Sequence, residues 1–477
     1  MITLKRIYFM LFHNQKAKTK PSVPFIRKNF YFKFLQRFFF IRAFRKLLPF
    51  PARQRGCYIL GKTGSGKSEL LAQFIYNDIQ SPSGCLLIDP HGDLVSQCNT
   101  FKSDYSETVY ISADFAGKGL FPTYNPLQND YHKYKNLSKR LGLISLRTEE
   151  LKAAFNTIMG AEFTHSMERL ISNCLPVLLH KPGGATFSDF LDFMRPDTSE
   201  ALEILGQKFP SPEIAKFFQH EFRSSYFDAT KQAVLTRFSN AVAANYNVSK
   251  ILLAKESSFN LKKLLDAGKN VLVNLSMGAL GEDGSRIIGT FLISELTTHA
   301  LQRQRLPKDK RRTIFIYIDE AHNFISERMD KILSEARKYK ICFGGIANQF
   351  LSQWGNAPRL KASIMANTSI KICGYASSAD FKVMSQEMGM DLASIPNLRS
   401  GKFAVSISGH RPKVVQFFDF LIRKKGKKNP SYLSDEAYEK KLKKQVKKYY
   451  KRIAEEPGQT PEQSTEKPSE TKIQKLL

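Results

Sequence analysis

The first sixty-eight residues contain no aspartate or glutamate; the first acid is Glu69. Cysteine is sparse as well. The six (Cys57, Cys85, Cys98, Cys174, Cys342, Cys373) are scattered with no CxxC pair. That argues against a disulfide scaffold or zinc ribbon and for a reducing compartment. No run reaches the ~18 uncharged apolar residues needed to cross a bilayer, so no transmembrane helix is expected. No small-residue cleavage site follows an N-terminal apolar run, so a cytoplasmic rather than a secreted protein is expected. Of 477 residues, 42 % are hydrophobic and 24 % charged. These fractions are near the globular average and exclude a disordered, fibrous or polytopic chain. The length suits about two to four domains.

The charge that is present sits at the ends. Of the net +30, residues 1–68 supply sixteen Lys and Arg, and residues 422–453 supply thirteen against three acids. The tail 454–477 is slightly acidic, which leaves only +6 on the body, 69–421. Basic ends suit a polyanion such as DNA, RNA or an anionic membrane face; a solvated, solubilising surface is the plain alternative. Residues 1–50 interleave aromatics with bases, as in Phe30-Tyr31-Phe32-Lys33-Phe34 and Arg37-Phe38-Phe39-Phe40. That pattern fits an interfacial helix seated on anionic lipid. It fits equally a helix docked on the core with its basic side in water. Pro49-Phe50-Pro51 marks the boundary before the core.

Cys57–Leu60 reads as a short strand. It runs into Gly61-Lys62-Thr63-Gly64-Ser65-Gly66-Lys67-Ser68 and then a helical stretch. This is GxxxxGK[ST] between a strand and a helix, the setting in which backbone N–H groups wrap a phosphate at a positive helix end. The expected cofactors are ATP and Mg²⁺, with Lys67 on the β- and γ-phosphates and Ser68 on the metal. A buried strand, Thr313–Ile318, ends in Asp319-Glu320. Asp319 is the expected metal-shell acid, and Glu320 the general base that polarises water. Lys331–Lys340 reads as a helix, Ile341–Ala347 as another buried strand, and Asn348-Gln349 closes it.

Taken together these motifs resemble the HerA/FtsK superfamily of ring-forming DNA-pumping ATPases, and within it the TraG/TraD-type coupling proteins of conjugation and type IV secretion. The likeness rests on CYILGKTGSGKSELL (57–71), LLIDPHGDL (86–94), YNPL (124–127), the segment 268–296, FIYIDEAHNFI (315–325), LSEARKYKICFGGIANQ (333–349) and GKFAVSISGHRP (401–412). It implies a homo-hexameric motor acting on DNA, with a relaxase or other secretion components as partners. It also implies that Gln349 senses the nucleotide and that Arg337 is offered to a neighbouring subunit's γ-phosphate. Coupling proteins of this type usually begin with transmembrane helices, which this sequence lacks. Membrane contact then falls to residues 1–50 or a partner, giving a peripheral position on the inner face of a bacterial plasma membrane. Viral genome packaging, DNA processing and an adaptor for protein cargo stay open beside conjugative transfer.

The expected fold is α/β: a RecA-like P-loop NTPase core with a mostly parallel sheet, plus an inserted all-helical domain. Strands are expected at about 57–60, 84–89, 108–112, 270–275, 313–318, 341–346, 369–374, 402–408 and 413–418, the last forming an antiparallel edge. The core halves are 51–130 and 265–421, separated by the helical insert 131–264. Its apolar faces repeat with a helical period in 149–159, 167–179 (with Pro176 as a candidate kink) and 230–244. Residues 422–456 form a basic C-terminal unit. Its helix, Ser434–Ile453, is acidic at its start and basic at its end. The low-complexity tail 457–477 is expected to be disordered.

Overall fold

A computed structural model describes residues 37–243, 245–325, 333, 335–355, 357–392, 398, 400–417, 421, 429 and 431–453. Residues 1–36 and the tail 457–477 fall outside the described residues. Eleven strands occur among them: β1 (Cys57–Leu60), β2 (Gly84–Asp89), β3 (Thr108–Ile111), β4 (Leu120–Phe121), β5 (Asn270–Asn274), β6 (Ile314–Ile318), β7 (Ile341–Asn348), β8 (Ile370–Cys373), β9 (Lys402–Ile407), β10 (Lys413–Gln416) and β11 (Lys451–Arg452). Nine form one sheet, ordered β10-β9-β8-β1-β7-β6-β2-β5-β3. From β8 across to β3 every pairing is parallel, and β9 and β10 make the antiparallel edge. All nine expected strands are present. The β4–β11 pair was not anticipated, because two-residue strands carry no alternation to read.

The sheet is apolar on both sides because helices cover both faces. Side chains alternate along each strand. Tyr58, Leu60, Leu86, Ile88, Ile316 and Ile318 enter one core, and Cys57, Ile59, Cys85, Leu87, Phe315 and Tyr317 the other. The second core is roofed by α1 (37–47), α2 (Lys67–Ile79) and α3 (Asp93–Asn99). In α1, Phe40 and Phe44 are buried against Tyr76 and Phe74 of α2, with ring centroids 6.0 and 5.1 Å apart. For this part of the arm the docked alternative holds, although Phe38 and Phe39 stay half exposed.

The first core is shared with the expected insert, whose helices include α4 (Leu137–Met159), α5 (His165–His180) and α6 (Ser225–Phe238). Pro176 sits inside α5 without ending it. The helix α7 (Met277–Gln302) follows β5 and has one non-helical residue, Gly281. Arg147 of α4 is buried; it donates to Ser294 and Thr298 of α7 and to the Pro126 carbonyl. Asn125, in the YNPL segment, donates to the carbonyls of Ala185 and Lys255. One side chain thereby clasps the start of the helical segment to residues further along it.

The C-terminal helix α8 (Asp435–Tyr449) is N-capped by Ser434, as its sequence implies. It lies along β3, the edge of the sheet. Gln445 donates to the Thr108 carbonyl, and the Tyr450 hydroxyl donates to the Tyr110 carbonyl and accepts from the Ser112 N–H. Covering an edge strand this way removes a template for unwanted pairing. Lys441 is drawn into the contact, where burial pushes its ammonium down to about 8. Lys440, Lys443, Lys444 and Lys447 face outward, exposed or nearly so.

One buried ion pair joins the approach to β1, the end of α2 and the middle of β6. The Arg53 guanidinium, 1 % exposed, donates to Asp78 Oδ2 at 2.6 Å and to the Tyr317 hydroxyl at 2.7 Å. It also stands over the Phe315 ring at 4.5 Å. Burial works against its charge, but Asp78 and Tyr317 outweigh burial and raise its pKa. Removing one partner strands a buried charge, so Asp78→Ala should cost about 3–5 kcal/mol. In urea unfolding, the double variant Arg53→Met/Asp78→Leu should lose much less than Asp78→Ala alone. A loss under about 1 kcal/mol for Asp78→Ala would show that the pair does not hold these elements together.

Candidate active site

The C-terminal tips of β1, β7 and β6 stand side by side in the sheet. The loop after β1 turns sharply into α2, whose first residue is Lys67 and whose N-cap is Gly66 at φ 91°. A side chain at Gly66 would be strained by that φ and would stand 3.0 Å from the Gly401 N–H nitrogen. At Gly61 it would come within 2.6 Å of Ser65 Oγ. The loop is tied down from several sides: Gly61 N–H donates to Asn348 O, Lys62 N–H to Tyr375 O and Gly401 N–H to Ser65 O. Ser65 Oγ is buried without a partner. Ser68 is exposed at the open side of the loop.

Across from the loop, β6 delivers its two acids. Lys67 Nζ lies 2.6 Å from Glu320 Oε1 and 3.4 Å from Asp319 Oδ1, with all three residues less than a tenth exposed. Glu320 holds a left-handed conformation, φ 46° and ψ 53°, which a residue with a Cβ seldom adopts. That turn starts a short 3₁₀ segment, Ala321–Asn323, so the strand ends at the acids. Burial pushes the Asp319 carboxyl above its ordinary range, and the charges of Asp89 and Glu320 add to this against the pull of Lys67. Burial also works to raise Glu320. The Lys67 charge, with hydrogen bonds from Lys67, Gln349 and Gln353, outweighs it and holds Glu320 below its ordinary value.

Gln349, at the end of β7, meets the phosphate loop: Thr63 Oγ1 donates to its Oε1 at 3.2 Å. Lys67, Asp319, Glu320, Gln349 and the loop are therefore gathered in one place. Arg337 is not among them. It is exposed in a short 3₁₀ turn, Ala336–Tyr339, immediately before β7. Of the expected helix over 331–340, residues 333 and 335 are helical, 336–339 tighten into the 3₁₀ turn, and Lys340 ends it left-handed at φ 57° and feeds the strand. The eight residues of β7 separate Arg337 from Gln349. At about 3.3 Å per residue that is roughly 25 Å. Arg337 instead lines a cavity of about 280 Å³ with Gln54, Arg55 and Ser369 at the opposite end of the sheet.

Three residues at the site escaped sequence reasoning as functional groups. Gln353 donates to Glu320 Oε2 at 3.3 Å. His322 Nδ1 lies 3.7 Å from the same oxygen, and burial pulls its pKa below the ordinary value against the Glu320 charge. Its position two residues after Glu320 was the available signal. Asp89, fully buried, accepts from the N–H groups of His91 and Val95. The Asp-Pro-His-Gly run is therefore a turn that starts α3, with its anchoring charge placed behind Asp319.

A glycine cradle of backbone N–H groups at a helix start, one ammonium and two acids fit a nucleotide phosphate with a divalent metal. The family described as "Helicase HerA, central domain" matches residues 53–296. The chain belongs to the HerA helicase central-domain family. The matched span carries the phosphate loop and the helices up to α7, and stops before β6. No curated protein matches in sequence. Among solved structures, the bacterial conjugative coupling protein TrwBdeltaN70 in complex with sulphate matches with a TM-score of 0.56 at 15% identity, over 81% of this chain and 90% of that one. The plasmid coupling protein TrwB in complex with ADP and Mg²⁺ gives 0.55 at 15% identity, with the same coverage. At such identity the likeness speaks for the fold: the HerA-family core here is built as TrwB is, a RecA-like sheet with its helices.

The ion cluster has a pH signature. Glu320 sits below its unfolded value, so its contribution to stability is present above the ordinary carboxylate range and is lost as pH falls through its lowered value. Lys67→Met leaves two buried acids without a cation. Their values then rise, and stability is lost as pH climbs through the ordinary carboxylate range. The gap in urea stability between wild type and Lys67→Met should therefore widen from about pH 4 to pH 7, reaching about 2–3 kcal/mol. A gap independent of pH would place the Lys67 charge outside the balance of these acids.

Proposed function

We propose that this protein is an ATP-driven DNA translocase that works as a homo-hexameric ring in conjugative DNA transfer, related in mechanism to coupling proteins. One observation carries the reading: Lys67 Nζ is shared between Glu320 and Asp319 directly below a glycine phosphate loop. The relative TrwB was solved with ADP and Mg²⁺, and with the non-hydrolysable ATP analogue ADPNP. ATP with Mg²⁺, when bound, supplies the phosphoryl group whose transfer to water drives the motor.

The chain's own residues would divide the work. The N–H groups of residues 61–68 cradle phosphate oxygens, and Ser68 and Asp319 hold the metal's shell. The Lys67 ammonium neutralises phosphate charge. While it rests on Glu320 that base is masked, and once it moves to phosphate the carboxylate is free to take a proton from water. Gln349 links the phosphate loop to the base through Thr63. Arg337, at the far end of the sheet, is of use only to another subunit's site, which is the reason for a ring. We read 131–264 as the unit that meets substrate at a mouth of the ring. The cytoplasmic side of a bacterial plasma membrane suits the basic arm, with Phe38 and Phe39 exposed beside Arg42.

Subunit mixing tests the ring. Lys67→Ala and Arg337→Ala should each abolish hydrolysis. Mixed together they should recover part of it, because one kind of interface then joins an intact phosphate loop to an intact arginine. No recovery at any ratio would remove Arg337 from catalysis in trans.

The outward lysines of α8 test DNA capture. Truncating α8 would expose the β3 edge, so charge replacement is the cleaner change. Replacing Lys440, Lys443, Lys444 and Lys447 by Gln should weaken duplex binding and flatten its log–log salt dependence by about 0.9 for each phosphate no longer neutralised. ATP turnover at saturating DNA should stay near wild type. An unchanged slope in fluorescence anisotropy would make these lysines a solvated face.

A further inference from the structure

Gln353 occupies a short 3₁₀ turn, Leu351–Trp354, that follows the tip of β7. The turn is fixed from below. Leu351 and Trp354 are buried, the Leu351 N–H donates to Asp380, and the Trp354 indole donates to the Tyr58 hydroxyl. Gln353 Oε1 accepts from the backbone N–H of Gln349 and of Phe350, each at 3.0 Å. It also accepts from the Asn348 amide at 3.4 Å.

Those partners settle which way the amide points. A backbone N–H can only donate, so the atom facing two of them must be the carbonyl oxygen. The NH₂ is thereby aimed at Glu320 Oε2, 3.3 Å away. A glutamine three residues into a helical turn that reaches back to the N–H before it is a capping device. Here its other end is turned on the proposed base.

Glu320 needs such a partner. Lys67 is its strongest one in the arrangement seen here, and the proposed mechanism withdraws Lys67. Gln349 and Gln353 are then its amide donors, and of the two Gln353 is the one whose oxygen is fixed by backbone N–H groups; a buried carboxylate short of such donors is free to rotate out of line. We propose that Gln353 is the positioning residue that holds the Glu320 carboxylate once Lys67 has left it, and that couples the base to the strand tip carrying Gln349. This rests on reading Glu320 as the base. Gln353 is already pinned by the backbone, so holding the carboxylate requires no further ordering of its own side chain. The titratable groups around Glu320 among the described residues are Lys67 from α2, Asp319 and His322 from its own segment, and Tyr58 from β1. Gln353 is a neutral donor and does its work without changing charge with pH.

Two substitutions separate positioning from mere capping. Gln353→Glu keeps an acceptor for the Gln349 and Phe350 N–H groups but loses the donor and sets a like charge against Glu320. Gln353→Leu loses both. With full-length protein, ATP, Mg²⁺ and saturating duplex DNA, both should lower kcat about tenfold or more. The affinity for ADP, measured by calorimetry, should stay within about threefold. A second readout separates binding from turnover: the KM for ATP should stay within about threefold of wild type in both variants, so that the loss falls on kcat. Only Gln353→Leu should lower the thermal midpoint appreciably. A Gln353→Glu protein with wild-type kcat overturns the inference while leaving Glu320 as the base. Wild-type turnover in Glu320→Gln would remove the base itself, and the inference with it.

Discussion

The Lys67 ammonium stands between two buried acids, and the rest of the site is arranged around that charge. Asp319 and Glu320 bury their carboxyls against it, and the two acids in turn balance the buried lysine. The balance is uneven: Asp319 is pushed up by burial while Glu320 is held down by Lys67 and its amide donors. That asymmetry suits two roles, a metal-shell acid and a base kept ionised. In the proposed mechanism it also makes the cluster an occupied lock, opened only as the lysine departs from Glu320.

The fold serves this cluster by aligning strand ends. A parallel sheet brings the C-termini of β1, β6 and β7 to one line, so residues more than 250 positions apart in the chain meet within hydrogen-bond distance. Helices on both faces keep the strands dry. The Arg53–Asp78–Tyr317 contact ties the segment before β1 to the end of the phosphate-loop helix and to the strand that carries the acids. The same geometry sends Arg337 to the other end of β7. A parallel strand cannot present both ends to one ligand, so an arginine at its start lies out of reach of this chain's own phosphate loop.

Much of this was legible in the sequence. The central strands announced themselves because a sheet buried on both faces needs apolar runs, such as Thr313–Ile318, which stops at an acidic pair. The phosphate loop and the acidic pair were legible for chemical reasons: few residue types can do what those positions require. The helix cap at Ser434 was legible from Ser followed by acids. What was not legible depended on distant partners. Nothing local says that Gln353 faces Glu320 or that Tyr450 reaches the backbone of β3. The arm's aromatics were ambiguous for the same reason, since Phe40 and Phe44 bury against α2 with the periodicity that a membrane surface would also have accepted. Nor was it legible that the last turn of the helix expected over 331–340 tightens into a 3₁₀ turn and ends on a left-handed Lys340, a conformation that lysine does not advertise.

The central claim is that this HerA-family core converts ATP hydrolysis into work on DNA. The most direct measurement is steady-state ATP hydrolysis by the full-length protein, assembled at high concentration with Mg²⁺, across a titration of duplex DNA. The account predicts a low basal rate that rises and saturates with DNA. If the protein hydrolyses ATP at a rate that DNA of no length or concentration alters, the site is an ATPase that serves something other than DNA transport.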